Sequence, residues 1–207
     1  MRVPVAILRI LVVIAVVAAV SAQYAHSASL GPVNPTRFFG YFTIQSNLLA
    51  AAALLIAAVV GLSRRRPAEW LVIARACVTT YMATTGVVFA LLLRESTAAA
   101  DFNLHWADDV MHVWVPIYVA ADWLLFADRP PVRWNRFWII LIYPVVWAAA
   151  TLLRGSLIDG FFAYPFLNPA TAGGVGAVVI YIVAIAGFIG IVGVLAVWAS
   201  RVRVIRL

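Results

Sequence analysis

The sequence predicts an all-α membrane protein: one bundle of six transmembrane helices spanning residues 1–207, with both termini in the cytoplasm. Three observations carry that prediction. Hydrophobic residues make up 65% of the 207 and charged residues only 11%, with a mean hydropathy of +1.02, far more apolar than a water-soluble core of this size requires. The apolar residues gather in six runs, Val3–Tyr24, Phe38–Leu62, Leu71–Leu93, Ala107–Ala127, Arg136–Leu153 and Gly174–Trp198, each near the roughly 20 residues that cross hydrocarbon as a helix. The 15 basic residues, all arginine, are distributed unevenly between the runs. Little chain is left over for a separate soluble domain.

The first run also fits a cleavable secretory signal, because Arg2 and Arg9 precede Ile10–Val20 and the small residues Ser21 and Ala22. Val3–Leu8 extends the apolar stretch on the other side of Arg9, however, and a long arginine stem can snorkel to the interface. The segment is therefore read as a span. Arg2, Arg9, Arg64, Arg65, Arg66, Arg129, Arg133, Arg136, Arg201, Arg203 and Arg206 fall on one side of the runs, and Arg37, Arg94 and Arg154 on the other, with Arg75 just inside the third run. By the positive-inside rule the larger set is cytoplasmic, together with both termini and the short loops Ser63–Trp70 and Asp128–Asn135. The longer loops Ala25–Arg37, Arg94–Trp106 and Arg154–Gly173, rich in proline and glycine, then face outward.

The net charge of +7 is thus a matter of orientation, and nucleic-acid binding is a poor explanation for it. Cys77, the single cysteine, lies in an apolar run without a partner, which excludes a disulfide framework and suggests packing. Phosphate-loop, zinc-protease and GxSxG hydrolase motifs are absent from the sequence, and no metal or cofactor is implied.

The polar side chains within the runs are the informative ones, because each costs free energy in hydrocarbon. In the second run Thr43 and Asn47 share a helix face, with Ser46 beside them. A lone membrane threonine ordinarily bonds back to its own helix, whereas Asn47 and Gln45 are suited to bridging helices. The fourth run carries Asp108, Asp109, His112, Pro116 and Asp122. Either of the first two acids, one turn before His112, could accept a proton-bearing ring nitrogen. Asp122, about 15 Å deeper, reads as structural, paired with Arg75 or Arg129. Thr43 and His112 each lie about 8 Å below the same boundary and could meet. Thr85, Tyr143, Trp147 and Tyr181 are candidates to line the same chamber, although interfacial or packing roles would equally place them there.

The segments Phe39-Gly40-Tyr41-Phe42-Thr43-Ile44-Gln45-Ser46-Asn47, His112 with Pro116, Asp122-Trp123, Tyr143-Pro144, Trp147, Arg154-Gly155 and Tyr164-Pro165-Phe166 together resemble a bacterial branch of the androgen-induced membrane protein family. The resemblance covers nearly the whole chain. Animal members of that family are six-helix intramembrane hydrolases of fatty-acid esters of hydroxy fatty acids, with a threonine nucleophile on helix two and a histidine on helix four. It implies those roles for Thr43 and His112. Tyr164-Pro165-Phe166 and Asp122-Trp123 resemble the bacterial branch rather than the animal enzymes, so the resemblance carries the fold further than the substrate.

The expected chemistry is attack of Thr43 on an ester carbonyl, with His112 as base and Asp108 or Asp109 holding its tautomer. Asn47, Ser46, Arg154 and Tyr164 are the candidate oxyanion donors. The expected partner is a lipid entering from the outer leaflet of a bacterial cytoplasmic membrane. Two readings compete: a lipid-binding or small-solute transport protein relying on Asp122, Asn47 and Arg154, and an assembly protein whose Asn47, Gln45 and His112 only join helices.

Overall fold

The computed structural model describes residues 2–94, 103–202 and 204–206. Residues 95–102 of the expected outer loop Arg94–Trp106, Arg203 and the carboxyl-terminal Leu207 lie outside the described residues. The chain builds a helical bundle from α1 (Arg2–Leu30), the short α2 (Pro35–Phe38), α3 (Phe42–Leu62) and α4 (Glu69–Val88), which continues as a π-turn over Phe89–Leu93. A second interrupted rod follows, α5 (His105–Asp109), a π-turn (Val110–Trp114) and α6 (Val115–Leu125), and then α7 (Trp138–Leu157), α8 (Pro169–Ala172) and α9 (Val175–Ala199). Two-residue strands, β1 (Phe126–Ala127) and β2 (Ile205–Arg206), pair in parallel.

Among the described residues five helical segments are long and apolar enough to cross a membrane: Arg2–Leu30, Phe42–Leu62, Glu69–Leu93, Trp134–Leu157 and Val175–Ala199. The His105–Leu125 rod has the length, but it carries Asp108, Asp109 and Asp122 and is the most acidic of the long rods. Large aliphatic side chains face outward along the long helices, with Ile14, Ile117, Val145 and Ile180 all more than half exposed. Such a surface is compatible with an integral membrane protein, whose helices turn aliphatic side chains to lipid.

The expected boundaries shift by a few residues. The first helix runs six residues beyond Tyr24 and stops before Gly31-Pro32, where proline disfavours helical geometry in the residue before it. The second begins at Phe42 rather than Phe38, because Pro35–Phe38 forms a separate turn capped by the Asn34 side chain. A Cβ on Gly40 would sit 2.9 Å from the Thr36 carbonyl, so only glycine makes the turn between the two.

α4 is the central helix, packed on α3, α6, α7 and α9. Its threonines fit that position: Thr79, Thr80 and Thr84 donate to the carbonyls of Arg75, Ala76 and Thr80 at 2.8, 3.0 and 2.8 Å, which satisfies buried hydroxyls within one helix. Cys77 is buried and free, in a packing position.

At one end of the bundle four charged side chains close a ring. Arg9 of α1 contacts Asp122 at 2.8 Å and Asp128 at 2.6 Å, and Arg75 of α4 contacts the same two carboxylates at 2.8 and 2.7 Å. One expectation is corrected here. Arg9 does not snorkel: it is 1% exposed, because two carboxylates inside the bundle offer bidentate partners that the interface does not. Of the two partners expected for Asp122, Arg75 is the one it pairs with, joined by Arg9, while the Arg129 guanidinium lies 3.7 Å over the Trp123 ring and donates to the Trp123 and Phe126 carbonyls.

Removing one member leaves buried charge uncompensated. Asp122→Asn is expected to lower stability by about 3–5 kcal/mol, read as a fall in the melting temperature of the detergent-purified protein. Burial alone would raise Asp128, but Arg75 and Arg9 outweigh it and hold the carboxyl below its ordinary 3.8. Its contribution is therefore full above that value and is lost as pH falls through the lower folded one. An acid titration of the melting temperature should show that loss, and Asp128→Asn should flatten it.

Candidate functional site

At the opposite end, Thr43 and His112 meet. Thr43 occupies the first turn of α3, and its Oγ1 lies 3.1 Å from His112 Nε2. His112 is at the centre of the π-turn between α5 and α6. Its Nδ1 lies 3.1 Å from both the carboxylate and the backbone carbonyl of Asp108. Two acceptors at Nδ1 place the ring proton there, which leaves Nε2 as a lone pair facing the Thr43 hydroxyl. Asn103 in turn donates to the Asp108 carboxylate at 3.1 Å. Asp109 is exposed, so Asp108 is the acid within reach of the ring.

The local sequence explains this geometry. In the π-turn the Val115 N–H is drawn to the Val110 carbonyl, and Pro116 has no N–H, so the Met111 carbonyl has no donor from its own helix. Asn47 fills the gap, donating to Met111 O at 3.2 Å and to Thr43 O at 2.9 Å. One amide thus binds the threonine turn to the histidine turn. Phe89, in the π-turn ending α4, stacks on His112 with ring centres 4.1 Å apart and planes 16° apart. Gly86 lets the two rods approach: a Cβ there would lie 3.2 Å from both the His112 carbonyl and Pro116 Cβ.

Tyr164 completes the cluster. Its hydroxyl accepts the Thr43 N–H at 3.1 Å and shares a hydrogen bond with Thr43 Oγ1, also 3.1 Å. Burial pushes the phenol up to about 12, against the lowering effect of its bonds to Thr43, so it keeps its proton at neutral pH. With Nε2 accepting from Thr43, the Tyr164 O–H is placed to donate to Oγ1.

The remaining candidates occupy distinct places. Ser46 donates to Thr43 O at 3.2 Å and bonds the Thr85 hydroxyl at 3.2 Å, so it and Asn47 face a carbonyl rather than open space. Tyr143 donates to Gln45 at 2.6 Å, and Trp147 donates to Gly40 O at 2.9 Å. Tyr181 packs on Phe166. Arg154 lies apart from Thr43, bound to Asp159 at 2.7 Å and to Thr36 O at 2.8 Å; its guanidinium holds the Asp159 carboxyl down to about 2.

Comparisons with known protein families, curated proteins and solved structures give no match. Asn103, Phe89 and Gln23, which accepts the Leu104 N–H at 2.9 Å, escaped sequence reasoning. Gln23 had a visible signal, an amide near the end of an apolar run; Phe89 had none.

Thr43 lies at a seam between two cavities. One, of about 400 Å³, runs between α3, α4, α7 and α9 with Phe42, Leu152, Phe166 and Ile185 in its walls. The other, of about 510 Å³, includes Gln23, Asn103, Asp108, His112 and Asn168. The first is nearly all apolar and the second mixed. Among the described residues no group of His, Cys, Asp and Glu could hold a metal ion.

Because Gly86 sets the spacing of the rods, Gly86→Val should destabilise the bundle by about 1–3 kcal/mol through overpacking. A lower melting temperature for Gly86→Val, with a smaller loss for Gly86→Ala, is the expected result.

Proposed function

We propose that the protein is an intramembrane hydrolase of lipid carboxylic esters, with Thr43 as nucleophile and His112 as base. The observation that carries this reading is the 3.1 Å contact of Thr43 Oγ1 with a ring nitrogen whose opposite nitrogen rests on Asp108. A threonine hydroxyl is unreactive unaided, and a base within hydrogen-bond reach that is itself oriented by a third group is the arrangement that activates it.

In the first half of the reaction Oγ1 bonds to the ester carbonyl carbon while its proton passes to His112 Nε2. The imidazolium is stabilised by Asp108. The tetrahedral intermediate collapses with cleavage of the carbon–oxygen bond to the alcohol, which leaves with the proton from Nε2. In the second half water attacks the Thr43 ester, giving its proton to Nε2, and collapse returns that proton to Oγ1 and releases the acid. Tyr164 is the best-placed donor to the developing oxyanion, since Asn47 and Ser46 are engaged with carbonyls and Arg154 with Asp159.

A lipid ester suits the two cavities, with an acyl chain in the apolar one and the polar part and water in the other. A further groove of about 790 Å³ includes Phe89, His112, Val113, Trp114 and Ile117. Trp114 and Ile117 are 65% and 58% exposed, which fits lateral entry from the bilayer. The likeness of the Thr43, His112 and Tyr164 segments to the androgen-induced family points the same way, toward esters of hydroxy fatty acids.

The proposed setting is a bacterial cytoplasmic membrane crossed six times, with the His105–Leu125 rod as the fourth span, Asp108 turned to the site and Asp122 to the ring. The gathering of Arg2, Arg64, Arg65, Arg66 and Arg129 at one end supports placing that end in the cytoplasm and the site toward the outer side. Reporter fusions at Leu207 and near Phe102 should give cytoplasmic and external signals respectively.

Thr43→Ala is expected to abolish ester hydrolysis and labelling by a fluorophosphonate probe, and His112→Ala to lose nearly as much. The double variant should be no worse than either, because residues that act as a unit fail together. Thr43→Ser should retain partial activity, and Asp108→Asn should reduce turnover while Asp109→Asn does not. All variants should stay monodisperse in detergent. Hydrolysis by folded Thr43→Ala at the parent rate would refute the assignment and leave a lipid-binding protein.

A further inference from the structure

The end of the bundle remote from Thr43 holds a cavity of about 580 Å³ whose walls include Arg2, Arg9, Arg64, Arg65, Arg66, Arg75 and Arg129, with Asp128 as the acid among them. Arg9 and Arg75 are neutralised by Asp122 and Asp128 in the closed ring. Beyond that neutral ring, Arg64, Arg65, Arg66 and Arg129 bring four further guanidiniums to one concavity, and Asp128, already in the ring, is the acid lining it among the described residues. Orienting the chain requires arginines near the helix ends, but it does not require them to converge on a hollow.

Two further features single out this hollow. Arg64 has φ 53° and is the one non-glycine residue with positive φ among the described residues. It sits where α3 ends, with Arg64 N–H bonded to Gly61 O at 3.2 Å and Arg65 N–H to Val60 O at 3.3 Å, the terminating motif in which glycine is usual. A strained arginine retained where glycine would be relaxed points to a use for its side chain. Arg129, 5% exposed, is the second feature. Its Nε has no hydrogen-bond partner among the described residues, and burial with the neighbouring Arg75 charge pushes the guanidinium down to about 9. Incoming negative charge would relieve both.

We infer that this cavity binds a phosphate-bearing anion, through the guanidiniums of Arg64, Arg65 and Arg66 at its mouth and the field of Arg129 at its wall. Guanidinium forks match phosphate oxygens in pairs, and basic pockets between membrane helices suit anionic head groups. Val5, Ala6, Val60 and Leu71 also line the cavity, and Val3, Ile7 and Val59 are more than half exposed nearby on α1 and α3. Those apolar surfaces could take the acyl chains of a lipid whose phosphodiester occupies the arginines.

The test is the melting temperature of the full-length protein in neutral detergent. It is measured with added phosphatidylglycerol, with phosphatidylcholine, and with inorganic phosphate. Phosphatidylglycerol at about a hundredfold excess over its Kd should raise it by about 5 °C or more, and phosphatidylcholine should not. A rise with inorganic phosphate as well assigns the site to the free anion; a rise with phosphatidylglycerol alone assigns it to lipid. The R64Q/R65Q/R66Q variant, altered at exposed positions outside the ring, should lose the shift, while Arg133→Gln should keep it. Should the triple variant fail to fold, Arg64→Gly serves instead: glycine suits the backbone, so its basal melting temperature should be no lower than the parent's, while the anion shift shrinks. Equal responses to the two lipids with none to phosphate, an undiminished shift in both mouth variants, or an equal loss in Arg133→Gln would overturn the site.

Discussion

Closure of the Arg9–Asp122–Arg75–Asp128 ring is the constraint on which the rest of the bundle depends. Four charges withdrawn from water are tolerable only because each carboxylate touches both guanidiniums and each guanidinium both carboxylates. The geometry admits little slack, so α1, α4 and α6 are held at fixed relative heights and rotations. Asp122 and His112 belong to the same rod, about 15 Å apart. Arg75 and Phe89 likewise belong to the other rod, and Phe89 stacks on His112. Registering the two rods at the ring therefore sets the level at which phenylalanine and imidazole meet, a helix length away.

The second device is the pair of π-turns. A straight α-helix through Met111 and Pro116 would strand the His112 carbonyl; the π-turn instead leaves Met111 O open and turns it toward α3, where Asn47 can donate to it. In hydrocarbon such an opening is tolerable only when a neighbouring side chain satisfies it. Asn47 is thus explained by backbone accounting, without any catalytic duty, and its second bond to Thr43 O is what couples that accounting to the position of Thr43.

How much of this was legible in the sequence follows from the kind of signal each feature leaves. Apolar runs are additive along the chain, so the long helices could be read with boundary shifts of a few residues. The level shared by Thr43 and His112 could be read as well, since helical rise is fixed. Pair identity could not. Arg9 in an apolar run signals a charge that needs an outlet, but snorkelling and burial are equivalent until Asp122 and Asp128 are known to lie opposite. Choosing between Asp108 and Asp109 needs helix rotation, which one acid shows by being exposed. Arg154 reads as a site cation only until Asp159, five residues on, is seen to neutralise it. Tyr164 could be flagged from sequence, but its two bonds to Thr43 depend on how the segment after α7 folds back, which no periodicity records.

The polarity of the two cavities gives the Thr43 position its physical sense. The proposed hydrolysis, which joins a greasy acyl group to water, needs both at one atom, yet a chamber wet throughout would cost the acyl chain its burial and a dry one would exclude the second reactant. Placing the hydroxyl at the seam removes the conflict. Phe42, next to Thr43 in the first turn of α3, looks into the apolar side, packing against Tyr81, Tyr143 and Trp147. Asp108 and Asn103 hold the mixed side. Tyr164 borders both cavities, with an apolar ring stacked on Phe166 and a hydroxyl on Thr43. A tyrosine can occupy such a boundary because its ring needs no solvent and its one polar atom needs one partner. Phenylalanine would keep the wall and leave the Thr43 N–H unpaired, so the phenol oxygen fixes the Thr43 backbone as well as facing its hydroxyl.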